Sequence, residues 1–214
     1  MKVDKATLSL LAKIQEITAK SHQLEPLCKD RISKVCGVDV SYNKEKAVAV
    51  AILWSCSEKK VIEVAKCIGK PFFPYVSGYL FMREAPLVIS AVKVLKENID
   101  LVLVDGHGIA HPRRAGLAVF VGLALDTPTL GIAKSLLVGK IGSFEGIMAP
   151  ILLNDSIVGI AFRVPETGKT YFASPGHKLT IEDSIRIVKH EYMNLIKALE
   201  LAHRSSKSLL KESK

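Results

Sequence analysis

Apolar positions along this chain recur with two different periods, and the changes of period mark out its elements. Leu8, Leu11, Ile14 and Ile17 stand three apart and predict a helix over about residues 4–22 with one apolar face. A short linker containing Pro26 follows. Three strand-like runs come next, at 35–42, 47–54 and 60–68, and the polar gaps at 43–46 and 55–59 are hairpin-sized, so an antiparallel meander is expected. Residues 69–78 (GKPFFPYVSG) form a stiff aromatic loop with two prolines. A helix over about 80–98 is predicted after it, with Glu84 in its first turn. The aliphatic run 101–104 reads as a buried strand. A helix over 112–125 should follow, because proline at the first helical position needs no backbone donor. Asp126, Thr127 and Pro128 turn the chain into a short strand at 129–133. Further short strands are expected within 145–174, with turns at Asn154-Asp155 and Thr167-Gly168. The last helix spans about 180–202, its start favoured by Glu182 and Asp183. The basic segment 203–214 is expected to fray.

Three antiparallel strands followed by helix, strand, helix and strand is the order of the ribonuclease H-like fold, an α/β architecture with a mixed central sheet and helices on both faces. No repeat, low-complexity tract or linker divides the chain, so one catalytic domain over 1–214 is expected. With 49% hydrophobic and 24% charged residues the composition is globular rather than disordered. The net charge of +9 points to phosphate-rich partners, nucleic acid before anionic membrane. No apolar run reaches the roughly 20 residues of a spanning helix. The N-terminal residues mix both charge signs, unlike a secretory signal, so a cytoplasmic protein without membrane attachment is expected. Cys28, Cys36, Cys56 and Cys67 lack the spacing of a zinc site and read as reduced thiols of an intracellular protein.

The candidate chemistry lies in LVLVDGHGIAHPRR, residues 101–114. Buried strands of α/β proteins deliver functional groups where the chain leaves the sheet. Here that exit carries Asp105, then Gly106 and Gly108, then a positive rim of His111, Arg113 and Arg114. A carboxylate inside a cationic, glycine-lined mouth suits a metal-assisted site for a polyanion. Two more acids stand in telling places: Asp39, flanked by Val38 and Val40 in a strand, and Glu84 near a helix start. A buried acid is costly without a counter-ion, which a divalent metal supplies. Taken singly, each acid could equally be a turn, cap or ion-pair residue, with Arg83 the ready partner for Glu84.

Taken together, GVDVSY at 37–42, PYVSGYLFMREAP at 74–86, LVDGHGIAHPRRAGLA at 103–118, LDTPTLGIAKS at 125–135 and SPGHKLT at 174–180 closely resemble the endonuclease V family. That resemblance implies a ribonuclease H-like, metal-dependent enzyme, expected to act as a monomer in DNA repair. It would hydrolyse the second phosphodiester on the 3′ side of a deaminated adenine (inosine), leaving 3′-hydroxyl and 5′-phosphate ends. It implies Asp39, Glu84 and Asp105 as ligands of Mg²⁺, with Mn²⁺ as substitute, both of which favour hard oxygen donors. It adds His111, for proton transfer or phosphate binding, and Lys134, for charge on the phosphate, as catalytic residues. His177 is implied close to the site, with helix capping as the equal alternative.

The resemblance also makes residues 74–77 a wedge whose Tyr75 replaces stacking lost when a base leaves the duplex. Ser77 stands where a second proline is usual, which predicts a softer wedge. The base itself would meet a wall of Gly78, Leu80, Gly106, Gly108 and Gly116, where missing side chains permit close approach. An inosine-specific RNA nuclease and a catalytically silent nucleic-acid-binding module are the competing functions. Three convergent acids speak against the silent module.

Overall fold

The computed structural model describes residues 3–27 and 32–212; Cys28 and Lys214 lie outside them. Helix α1 (Lys5–Ser21) leads into the meander β1 (Lys34–Tyr42), β2 (Ala47–Ser55) and β3 (Lys60–Gly69). Then come α2 (Leu80–Val92), β4 (Leu101–Asp105), α3 (Leu117–Leu125) and β5 (Thr129–Ala133). The chain finishes with β6 (Lys140–Ile141), β7 (Met148–Leu153), β8 (Ser156–Arg163), β9 (Thr170–Pro175) and α4 (Ile181–Glu212). All nine strands join one mixed sheet in the order β3-β2-β1-β4-β5-β9-β8-β7-β6. The parallel core β1-β4-β5 carries an antiparallel wing on each side, the ribonuclease H-like arrangement expected from the order of elements.

Side-chain alternation along the strands decides which helix each residue meets. In β4, Leu101 and Leu103 pack with Leu195, Ala198 and Leu199 of α4, while Val102 and Val104 pack with Phe81, Val88 and Leu117 of α2 and α3. In β1, Val35 faces α4, and Cys36 and Val38 face α2. Position 37 must be glycine for this packing, since a Cβ there would lie 2.5 Å from the Ala198 carbonyl carbon. The same parity assigns Asp39 and Asp105 to the α4 face.

Four expectations are corrected. The apolar face predicted for α1 is not what the helix buries: Leu11 and Gln15 are buried, whereas Ile14 and Ile17 are exposed. Each residue turns an α-helix by about 100°, so steps of three fall about 60° short and Ile17 ends opposite Leu8. Helix α2 stops at Val92 rather than near 98, because the Glu63 carboxylate accepts the backbone N–H of Lys96 (3.0 Å) and Glu97 (3.3 Å) and ties that segment to β3. Glu84 accordingly sits one turn inside α2, not in its first turn. Helix α3 begins at Leu117 rather than Pro112; residues 107–116 fold back on themselves, with Gly116 N–H donating to the Gly108 carbonyl (3.0 Å). The segment expected to fray is helical to Glu212. Ala202 and Ser206 are fully buried, and Ala202, Leu209 and Leu210 cover Val48, Val50 and Ile52 of β2.

Cys36, Cys56 and Cys67 are free thiols, as expected. Among the described residues no helix is long and apolar enough to cross a membrane.

Candidate active site and base-binding cavity

Strands β1 and β4 run parallel and stay in register as far as Val38 and Val104. The next residue of each is an acid, so Asp39 and Asp105 stand side by side where the strands part. Strand β5 lies on the far side of β4 with Ile132 opposite Asp105. Two residues further on, Lys134 has the same parity and pairs its ammonium with the Asp105 carboxylate. Burial opposes the charge on Lys134, but the pairing with Asp105 outweighs it and holds the ammonium above its ordinary pKa. Glu84 arrives from the other layer. Phe81, Glu84, Ala85 and Val88 form the buried stripe of α2, so helical periodicity turns this carboxylate inward.

The acid cluster is electrostatically uncomfortable. Burial, then the neighbouring Asp39 and Asp105, push the Glu84 carboxyl up to about 8. Burial also raises Asp105, more than Lys134 lowers it. The expected alternative partner of Glu84 is engaged elsewhere, since Arg83 donates to the Phe73 carbonyl and lies over the Tyr42 ring. Asp39 is held by the end of α4: its Oδ2 accepts from the Ser206 hydroxyl (2.7 Å) and from Nδ1 of His203 (3.2 Å). His203 and Ser206, three apart on one helical face, are site residues that sequence reasoning missed by assigning them to a frayed tail. Three crowded carboxylates fit a divalent cation in donor chemistry and in their need for positive charge. As they stand, Lys134, Ser206 and His203 occupy their oxygens. Among the described residues no group of three His, Cys, Asp or Glu is gathered in chelating geometry.

Beside the acids lies a cavity of about 250 Å³, lined among others by Tyr75, Gly78, Leu80, Gly106, Gly116 and Lys134. Asp105 and His111 also line it. A dry cavity of about 150 Å³ admits benzene, so this one has room for a bicyclic base. Tyr75 is 65% exposed at its mouth and is not a core aromatic, whereas Phe73 behind it is buried. Gly78 has φ +79° as the third residue of a turn closed by Tyr79 N–H to the Val76 carbonyl (2.9 Å), a conformation that favours glycine. The other glycines differ. A Cβ on Gly106 would find ordinary contacts at 3.5 Å or more, but one on Gly108 would lie 2.0 Å from the Pro175 carbonyl oxygen. Gly108 therefore serves the packing of its loop against β9, and it does not line the cavity.

His111 is buried at the cavity wall. Its Nδ1 accepts from the Arg113 N–H (3.2 Å), which leaves Nε2 to donate to the Gly78 carbonyl (3.1 Å). Burial and the nearby Arg113 guanidinium depress its pKa to about 4. It is a neutral imidazole at neutral pH, so the expected cationic grip on phosphate gives way to a hydrogen bond that shapes the cavity. His177 lies elsewhere: its Nδ1 accepts from Gln23 N–H (3.1 Å), and it lines no part of this cavity. It does not cap α4 either, because Thr180 and Asp183 exchange the capping bonds.

On the other side of Asp105 and Lys134 a groove of about 520 Å³ runs along α4, with Lys169, His203 and Arg204 at its rim and Tyr171 and Leu199 in its floor. Cavity and groove thus meet at one ion pair, with cations on either side.

The family model of endonuclease V matches residues 16–204. The chain is 39% identical over 207 residues to endonuclease V of Sulfolobus acidocaldarius, covering 96% of this chain and 97% of that one. Among solved structures, endonuclease V of Bacillus subtilis superposes with a TM-score of 0.86 at 28% identity, covering 99% and 94% of the two chains. Endonuclease V of Ciona intestinalis, in complex with a DNA containing an inosine followed by a ribo-adenosine, gives 0.85 at 25% identity, covering 99% and 100%. With nearly the whole chain matched, this protein belongs to the endonuclease V family.

Proposed function

We propose that the protein is a metal-dependent endonuclease that recognises inosine in DNA and hydrolyses the second phosphodiester on its 3′ side, leaving 3′-hydroxyl and 5′-phosphate ends. One observation carries the reading: a base-sized cavity shares its wall with the Asp105–Lys134 pair. A base lifted out of the stack into that cavity brings its own strand across the acids. Family membership supports the nuclease reading, and the Ciona relative binds an inosine-containing DNA.

Asp39, Glu84 and Asp105 are the residues that would hold the cation, magnesium with manganese as substitute. Such a cation supplies polarisation of the scissile phosphate and acidification of the attacking water. Lys134 stands where its ammonium can offset charge on the phosphate once released from Asp105. Ser206 and His203 fix the orientation of Asp39. Tyr75, exposed at the mouth, is placed to stack on the opened duplex. Lys169 and Arg204 offer the continuing strand two further cations.

The test is cleavage of matched strands carrying one inosine or one adenine, as DNA and as RNA, with Mg²⁺ and with a chelator. The expected result is a nick in inosine DNA at the stated bond, abolished by chelation. Equal cutting of the adenine controls would overturn the base reading, and cutting in chelator the metal reading. RNA cut faster than DNA would move the substrate to inosine-containing RNA.

A further inference from the structure

Gln15 lies on α1, far in sequence from every motif of the site, yet it is fully buried at the cavity wall. Its amide is engaged at both ends. Nε2 donates to the carbonyls of Gly78 (3.0 Å) and Ala115 (2.9 Å), and Oε1 accepts from Nε of Arg113 (2.6 Å). The Gly78 carbonyl receives two more donors, Nε2 of His111 (3.1 Å) and Nη2 of Arg113 (3.1 Å). Arg113 is itself steadied over the Tyr79 ring. Three donors converge on one carbonyl oxygen of a turn, and a fully buried glutamine on a separate helix is one of them. An oxygen needs only one such bond to be satisfied, so this convergence fixes an orientation.

We propose that Gln15 is a specificity-determining positioning residue, which keeps the Gly78 carbonyl turned out of the base cavity. The inference rests on the base-recognition reading above. Hypoxanthine and adenine differ at position 6, a carbonyl acceptor in one and an amino donor in the other. A carbonyl facing the cavity would accept from the amino group of adenine and repel the oxygen of hypoxanthine. With its oxygen held by Gln15, His111 and Arg113, the Gly78–Tyr79 peptide cannot present that acceptor. Glycine at 78 makes the restraint necessary, because the residue allows the turn and also permits its peptides to rotate.

The experiment compares wild type with Gln15→Met, similar in length but without the amide, and Gln15→Asn, which keeps an amide one methylene short of Gly78. Cleavage of inosine and adenine duplexes, binding to a duplex with an abasic site at the same position, and thermal unfolding are measured for each. The expected result is a fall of about tenfold or more in the inosine-over-adenine cleavage ratio for both variants. Affinity for the abasic duplex, which offers no base to read, should stay within about twofold of wild type. A folded variant with undiminished preference for inosine would overturn the proposal. Equal losses on inosine, adenine and abasic duplexes would overturn it too, by showing that Gln15 only supports the fold. A wild-type protein without inosine preference would instead refute the base reading itself.

Discussion

The two halves of the site solve opposite problems. Around Gly78 the polar groups are neutral or paired: Gln15 is used at both ends of its amide, His111 stays uncharged, and Arg113 spends its donors on a carbonyl and an amide. Around Asp105 three buried carboxylates crowd together, and Glu84 is pushed up to about 8. The first half is satisfied and therefore rigid, as reading the shape of a base requires. The second is unsatisfied and therefore reactive toward cations, as phosphoryl chemistry requires. Substitutions in the satisfied half should damage discrimination or stability, and those in the unsatisfied half should damage chemistry.

The sharpest test of that contrast is Asp105→Ala, with Asp39→Ala beside it. Losing a metal-holding acid should exceed the roughly 10–100-fold cost of disturbing an outer partner of a metal site, while binding to inosine DNA persists. Residual nicking above a few per cent of wild type in saturating Mg²⁺ would place the chemistry elsewhere. The raised pKa values predict a further sign: relieving carboxylate crowding should make the Asp105→Ala protein more resistant to unfolding at neutral pH, not less.

Next in size is removal of residues 204–212. The disordered-tail expectation would make this a loss of nonspecific affinity alone. The structure predicts instead a drop in unfolding temperature, because Leu209 and Leu210 leave β2, and a drop in cleavage rate, because Ser206 leaves Asp39. Ser206→Ala separates the two, keeping the helix and costing roughly 1 kcal/mol or about tenfold through one lost hydrogen bond. An unchanged rate at saturating Mg²⁺ for both proteins would remove α4 from the acid half.

Tyr75→Ala probes the recognition half. Stacking of a base on an aromatic ring is worth about 1–3 kcal/mol, so duplex affinity for inosine should fall about tenfold. A single-stranded inosine substrate needs no opening and should suffer less. Equal losses on both would mean that Tyr75 supports the fold.

The smallest effect is in pH. His111 binds its proton with a pKa of about 4 when folded, below the ordinary 6.5 of the unfolded chain, and His107, also depressed by burial to about 4, behaves alike. The unfolded state therefore takes up protons first on acidification. Stability should be complete above about pH 6.5 and decline as pH falls toward 4. His111→Gln, titrated by thermal unfolding, should flatten part of that decline.

Much of this was legible in the chain. Strand β5 falls where its pattern puts it, the meander ends within one residue of expectation at each strand, and Asp39, Glu84, Asp105 and Lys134 converge. Strands alternate at a period that leaves no ambiguity of face, and acids inside apolar runs announce themselves. Gln15 did not, because its neighbours lie sixty or more residues away and nothing local marks a buried glutamine. His203 and Ser206 were hidden by a basic, polar segment whose apolar positions matter only against β2. The sequence alone determined the strand order and the chemistry of the acids, since both follow from local periodicity and side-chain type. Tertiary structure alone decided that the last turns of α4 hold Asp39, that His111 serves the cavity as a neutral ring, and that α1 reaches the base-binding wall, because each depends on which surfaces are left to cover once the sheet has formed.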